Sequence, residues 1–438
     1  MKSQEIRASG QLATRTLADT VLHIEQVHRA VAGRIFALTA PVSLPVRVIH
    51  DVIASGVYTL IRETGLVGGM AASEVAGAAA GSVSPAGSTP RTNLALAVLN
   101  ATLGDELADQ GSPLAIPMAI RRARADVVPR RDPLEAAFPE ATSKVVVFVH
   151  GLGETEESWR LHADRHGFDT ESTYGSRLAE DLGYTPVYLR YNTGLHISQN
   201  GQHLTSLLDD VVSAWPTPVA ELVLVGHSMG GLVVRSACHY GHQREHSWVS
   251  AVRHVFYLGT PHLGAGLEQW VRRLSRMFAE LDESRPLASI LDRRSAGVKD
   301  LSAGHLLDDD WRSGDPGSQR EPNNVPLIPW AEHYAISATV TASRNHPLGR
   351  LVGDLLVQPD SARGQSRRGE HIPFPVEHTR HFGGLHHFNL LNHPTVYEAL
   401  REWLDPTSTA ASELGSALIS GAPMGCLATT DRSQIDNG

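Results

Sequence analysis

Cysteine is almost absent: the 438 residues contain two, Cys238 and Cys426. One falls in a helical pattern and the other in a Ser/Thr/Ala/Gly-rich tail. No structural disulfide is therefore expected, and a reducing, cytoplasmic compartment fits. Positive charge is in deficit, with 38 Lys and Arg against 47 Asp and Glu and a net charge of -9. That balance argues against a nucleic-acid partner. A charge-free apolar run of about 18 residues, the length that spans a bilayer, is missing. The nearest approach, residues 65–81, is mostly Ala and Gly and is interrupted by Glu74. The opening MKSQEIRASG leads to Asp19 and Glu25 with no apolar segment of a secretory signal between them. Neither Cys-x-x-Cys nor His-Glu-x-x-His occurs. The six histidines between His371 and His393 show no matched ligand spacing, so no metal and no cofactor is expected.

What is present is a chain that is 42% hydrophobic, long enough for one large domain with additions and a sizeable core. Its organising stretch is Glu221 to Arg235, ELVLVGHSMGGLVVR. A β-type run, Leu222 to Val225, meets Gly226-His227-Ser228-Met229-Gly230, and a helical pattern follows. Gly-x-Ser-x-Gly between a strand and a helix is a nucleophile elbow. The glycines are there because side chains beside the sharp turn would strike the neighbouring strand and helix. The helix N-terminus behind Ser228 offers unpaired N–H groups to developing negative charge.

Around this centre, strand and helix patterns alternate. Lys144 to Val149, KVVVFV, is apolar on both faces, as a buried parallel strand requires. Strands are also expected at Leu114 to Arg121, Thr185 to Arg190, His254 to Leu258 and His333 to Val340. Helices are expected near 176–182, 202–215 and 394–404. This is an α/β pattern, a mostly parallel sheet with helices on both faces, whose ligands bind at the carboxyl ends of the strands. Residues 1–110 read as an N-terminal helical region, with helices near 17–38, 46–61 and 93–109 and a Gly/Ala/Ser-rich connector at 66–91. Arg121 to Thr142 reads as a surface connection. Residues 264–329 form a long insertion that opens on an amphipathic helix carrying Trp270, Leu274 and Phe278, a lid that would sit over the elbow. The acidic run Asp308 to Asp310 reads as a solvated face. Residues 406–438 lose all periodicity and read as a disordered tail.

A serine hydroxyl attacks only when a neighbouring base takes its proton, and the base must be an imidazole oriented by a carboxylate. On this type of fold the acid and then the histidine follow the serine in the chain. Asp354, in Val352-Gly353-Asp354-Leu355-Leu356-Val357, follows the last clear strand and is the preferred acid, with Asp360 as competitor. The loop Gly383-Gly384-Leu385-His386-His387-Phe388-Asn389-Leu390-Leu391 precedes the closing helix. Adjacent histidines point apart, so one of them can meet Ser228; His387 is preferred, His386 is the alternative, and His393 suits a cap position. The oxyanion would take the N–H of Met229 and one from the loop after Val149, namely that of Leu152 in His150-Gly151-Leu152-Gly153.

HGLG at 150–153, GHSMGG at 226–231, LGTPHLG at 258–264, VGDLLV at 352–357 and HHFNLLNHP at 386–394 together resemble the α/β-hydrolase superfamily. Within it the pattern is most similar to lipases and esterases of the glycosylphosphatidylinositol-inositol-deacylase-like group. The resemblance covers roughly residues 111–404, so residues 111–405 are expected to form the α/β-hydrolase domain. It implies a carboxylic-ester hydrolase with Ser228 as nucleophile, Asp354 as acid and His387 as base, acting on a small-molecule or lipid ester, with peripheral membrane contact possible for the latter. Many relatives have Gly after the acid where this chain has Leu355. The alternatives are a thioesterase, polyester depolymerase or acyltransferase on the same three residues, or a binding protein that keeps the scaffold without turnover.

Overall fold

In the computed structural model, described residues are 90–112, 114–264, 295–312, 325–342, 354, 356–364 and 372–405. The helices expected before residue 90, the amphipathic lid helix with Trp270, Leu274 and Phe278, and the tail from 406 onward lie outside them.

Eight strands form one sheet: β1 (Ala119–Arg122), β2 (Ala125–Val127), β3 (Lys144–Val149), β4 (Thr185–Arg190), β5 (Glu221–His227), β6 (Val252–Leu258), β7 (Glu332–Thr339) and β8 (Thr379–Gly383). Their order is β2-β1-β4-β3-β5-β6-β7-β8. The β1–β2 and β1–β4 pairs are antiparallel and every other pair is parallel. Helices α1 (Pro90–Asp109), α2 (Arg131–Ala137), α3 (Tyr174–Leu182), α4 (Ile197–Ala214), α5 (Met229–Gln243), α6 (Ala296–Ala303), α7 (Asp308–Arg312) and α8 (Pro359–Ala362) complete the body up to residue 393. A separate unit, residues 394–438, holds α9 (Pro394–Leu404), whose Val396, Ala399 and Leu400 recur at helical spacing.

The architecture is α/β, a mostly parallel eight-stranded sheet with helices packed on it, as expected from the sequence. Its physical basis is visible along β3 and β5. Val147 of β3 sits beside Leu224 of β5 and Val187 of β4, and this face joins Leu204, Leu208, Leu232 and Val233 of α4 and α5 in the main core. Phe148, on the opposite face, stacks on Tyr188 and meets Trp159 edge-on. A Cβ on Gly175 of α3 would approach that same ring at 2.8 Å. Both faces are thus covered by helices, which is why these strands are continuous apolar runs rather than alternating ones. Helices α4 and α5 approach closely where Gly201 faces Ser236, and Thr205 donates to the Ala237 carbonyl at 2.8 Å.

Several elements differ from the sequence expectation. The segment expected as a bare surface connection folds into β2 and α2. The strand expected at 114–121 is confined to Ala119–Arg122, because residues before it are spent on a turn that Asn100 ties down through the Ile116 N–H and the Leu114 carbonyl. Edge strand β8 carries a half-exposed Thr-Arg-His-Phe-Gly pattern that advertises nothing by itself. The polar part of the insertion forms α6 and α7. In the acidic run expected as a solvated face, Asp310 accepts the Leu306 and Leu307 N–H groups and Asp308 accepts from Gln202.

Helix α1 is stitched to the neighbourhood of the strand ends. Asn192, just past β4, donates to the Gly104 carbonyl at 2.8 Å. Ser295 donates to the Ala101 carbonyl, and the Ala296 N–H reaches Asp105.

β3 has β4 on one side and β5 on the other, so the chain reverses its direction of travel across the sheet here. A crevice outside the carboxyl ends of β3 and β5 is where an open α/β sheet places its ligand. Gly151 and Ser228 lie at those two ends.

Candidate active site

β5 delivers Ser228 into a backbone conformation that a side-chain-bearing residue rarely adopts, φ 53° and ψ −123°. Such strain costs about 1–3 kcal/mol and persists only where the surroundings enforce it. They do so here. The Ser228 N–H donates to the Leu258 carbonyl at 2.8 Å, and its own carbonyl accepts from Gly231. A Cβ at Gly230 would lie 2.2 Å from the Val149 oxygen, and one at Gly226 would lie 2.5 Å from the Gly231 backbone. Only glycine lets strand, turn and helix close up this far. Ser228 retains 8% exposure, whereas His227 and Met229 on either side retain none. The turn therefore presents the serine and hides its neighbours.

His387 begins a short 3-10 turn, His387–Leu391. Its Nδ1 lies 2.8 Å from Asp354 Oδ2. Asp354 is itself fixed: Oδ1 accepts the Leu356 and Val357 N–H groups at 3.0 and 2.8 Å, and its carbonyl accepts the His387 N–H at 2.9 Å. Asp354 thus holds the ring of His387 through its carboxylate and the backbone through its carbonyl, and the carboxylate selects the tautomer with hydrogen on Nδ1 and leaves Nε2 a free lone pair. Nε2 is buried and has no hydrogen-bond partner. Burial alone would depress the His387 pKa, but the charge of Asp354 and its hydrogen bond outweigh this and raise it above the ordinary imidazole value.

The ring lies against Gly259, where an added Cβ would be 3.2 Å from Cε1 and Nδ1. Gly259 immediately follows the Leu258 carbonyl that holds Ser228. No hydrogen bond yet joins His387 Nε2 to the serine hydroxyl; such contacts commonly tighten only with substrate bound.

The loop after β3 passes over the serine. A Cβ on Gly151 would stand 3.0 Å from that of Ser228. The loop is pinned on both sides of Leu152: Tyr191 donates to the His150 carbonyl at 2.7 Å, the Gly151 N–H reaches Glu154 at 2.8 Å, and the Gly153 N–H reaches Thr193. Among the described residues no partner accepts the Leu152 N–H. The Met229 N–H, at the first position of α5, has no carbonyl one turn behind it.

Residues 139–280 match the family model described as "Putative serine esterase (DUF676)". No curated protein matches the chain. Solved structures similar to it include the mature lipase BlEst2 of Bacillus licheniformis, at 20% identity over 60% of this chain and 91% of that one, TM-score 0.39. Phospholipase PlaB of Legionella pneumophila aligns at 15% identity over 64% of this chain and 63% of that one, TM-score 0.38. The Pyrococcus furiosus esterase Pf2001 aligns at 15% identity over 61% and 85%, TM-score 0.34.

The competing candidates lie elsewhere. Asp360 is exposed on α8. The His386 ring faces His162, and burial first, then the charges of His162 and His387, lowers its pKa. The His393 N–H donates to the Tyr174 hydroxyl just before α9. Among the described residues, no group of three or more His, Cys, Asp or Glu side chains could hold a metal, and no helix is long and apolar enough to cross a membrane.

Sequence reasoning missed two residues in this neighbourhood, Glu154 and His227. His227 is the variable residue before the serine in the elbow, and Glu154 immediately follows HGLG. Their one signal is that ionisable groups occupy positions next to two glycine-rich turns that must be buried.

Proposed function

We propose that this protein is a serine hydrolase that cleaves carboxylic esters through an acyl-enzyme. His387 Nε2 takes the proton of the Ser228 hydroxyl, and the oxygen attacks the ester carbonyl. Asp354 supports the imidazolium that forms. The Leu152 and Met229 N–H groups receive the oxyanion; losing one such donor typically costs about 3 kcal/mol of transition-state stabilisation. Collapse of the intermediate expels the alcohol, which takes the proton from His387. Water then enters by the same base and releases the acid.

The observation that carries this reading is the buried, unpartnered Nε2 of His387, on a ring whose other nitrogen is locked to a carboxylate, beside a serine held in a strained turn. The neighbouring His227, by contrast, spends both nitrogens on the protein, Nδ1 on Glu154 and Nε2 on the His387 carbonyl. The family description over residues 139–280 supports the same chemistry, and the motif resemblance points to the inositol-deacylase-like lipases and esterases. The apolar positions Trp270, Leu274 and Phe278 favour a lipid-like or medium-chain acyl group. Residues 111–405 form the catalytic domain in this reading, with 264–329 as its lid.

A panel of p-nitrophenyl esters of increasing acyl length tests it. Wild type turns them over and Ser228→Ala does not. Truncating Trp270 and Phe278 to Ala should hurt long chains more than acetate. Folded wild type inert towards every ester in the panel, or a Ser228→Ala enzyme of undiminished rate, contradicts the proposal.

A further inference from the structure

A second carboxylate–histidine pair lies behind the first. His227 Nδ1 stands 2.9 and 3.1 Å from the two oxygens of Glu154, and its Nε2 stands 3.2 Å from the main-chain carbonyl of His387. A carbonyl can only accept, so Nε2 carries a hydrogen. Nδ1 faces a carboxylate, and the proton between them is held whichever partner owns it. Glu154 also accepts the Gly151 N–H at 2.8 Å, and the Glu154 N–H returns to the Gly151 carbonyl. The pair is wholly internal: His227 has no exposed surface and Glu154 keeps 6%.

We infer that Glu154 and His227 are positioning residues that fix the oxyanion loop and the base relative to one another across the serine. The chain of contacts runs from the Gly151 N–H through Glu154 and His227 to the His387 carbonyl, and each link is a hydrogen bond to backbone or between the two side chains. Asp354 holds His387 from one side; His227 holds it from the other, with the two imidazole rings 4.6 Å apart. Neither side chain itself gives or takes a proton in the ester reaction, and a purely apolar filling of the same volume would serve packing as well. What apolar residues could not do is set the register between two loops that lie far apart in sequence, from Gly151 to His387. Misplacement of a reacting group by about 1 Å can cost on the order of 10²-fold in rate.

The groups facing His387 are Asp354, Glu154, His227 and His386. Glu154 in turn faces His227 and His150. The Glu154 charge adds to that of Asp354 in favouring the His387 imidazolium.

This inference rests on the ester-hydrolase reading, and the test separates the two. Full-length wild type, Glu154→Gln and His227→Gln are compared on p-nitrophenyl butyrate across pH, with thermal unfolding to confirm the fold. Glu154→Gln keeps shape and loses charge; kcat should fall roughly 10–100-fold with KM within a few-fold, and the acid limb of kcat/KM should move to lower pH. His227→Gln keeps one donor for the His387 carbonyl, and kcat should fall at least about fivefold at unchanged KM. A folded Glu154→Gln enzyme with wild-type kcat and an unmoved limb overturns the inference. If Glu154→Gln does not fold, His227→Gln decides alone, and wild-type kcat in it overturns the inference. A folded wild type without turnover rejects the ester-hydrolase reading itself.

Discussion

Among the described residues, two Asp–His pairs have the same 2.8 Å contact and different surroundings, one wholly buried and one with a partly exposed imidazole. Asp354 meets His387 beside the serine turn. Asp300, on α6, meets His196 at the start of α4. Asp300 also accepts the Ile197 N–H at 2.9 Å and faces His305, while the His196 ring stacks on Trp311 at 3.7 Å. That arrangement caps a helix and anchors α6 of the insertion against it. The aspartate–histidine contact is common to both and so identifies neither. What separates them is the second nitrogen: His387 Nε2 is buried without a partner on a ring packed against His227 of the strained serine turn, whereas His196 is packed face-on against an indole. The unpartnered nitrogen marks a site only together with the strained serine turn and the fixed carboxylate, since the buried Nε2 atoms of His150 and His262 also lack partners.

Substitutions that strike one pair and spare the other sharpen this contrast. Ser228→Ala should remove turnover by roughly three orders of magnitude or more, read as initial rate on an activated ester. Asp354→Asn should lower kcat by about 10³–10⁴-fold by favouring the wrong tautomer of His387. Asp300→Asn should leave kcat within a few-fold and instead lower the unfolding free energy by about 1–3 kcal/mol, measured by urea titration. Equal kinetic losses in the two Asp→Asn variants would erase the distinction.

The pH dependence gives a smaller effect. Because the folded His387 pKa is raised above 6.5, the neutral base forms only above that pH, and the acid limb of kcat/KM should have its midpoint above 6.5. The same shift contributes stability that is fully present below the unfolded value of 6.5 and is lost as pH rises through the folded one. The smallest expected effect is that of His386→Ala, which should keep most activity, in contrast to His387→Ala.

The sheet was legible where burial forces a pattern. β3 and β5 are apolar on both faces because helices cover both, and glycines at 226 and 230 mark the turn because backbone crowds them, with Gly231 crowded by the Thr260 side chain. β8 was not legible: at the sheet edge its side chains are half exposed, and pairing with β7 rather than its own residues makes it a strand. The serine turn, and the order in which the proposed acid and base follow it, could be argued from local motifs. Local motifs did not show which carboxylate, Asp354 or Asp360, reaches the His387 ring; Asp354, 33 positions before it, does so through tertiary packing. Glu154 and His227 were invisible for the same reason: a carboxylate and an imidazole 73 positions apart share no periodicity, and only the closing of two glycine turns brings them together.

The central claim is that Ser228 is the nucleophile and His387 its base. Peptide mapping by mass spectrometry after treatment with a fluorophosphonate tests it most directly. The account predicts one adduct, on the peptide bearing Ser228, formed far more slowly in folded His387→Ala. An adduct on a different residue, none on folded wild type, or labelling unaffected by loss of His387 would contradict it.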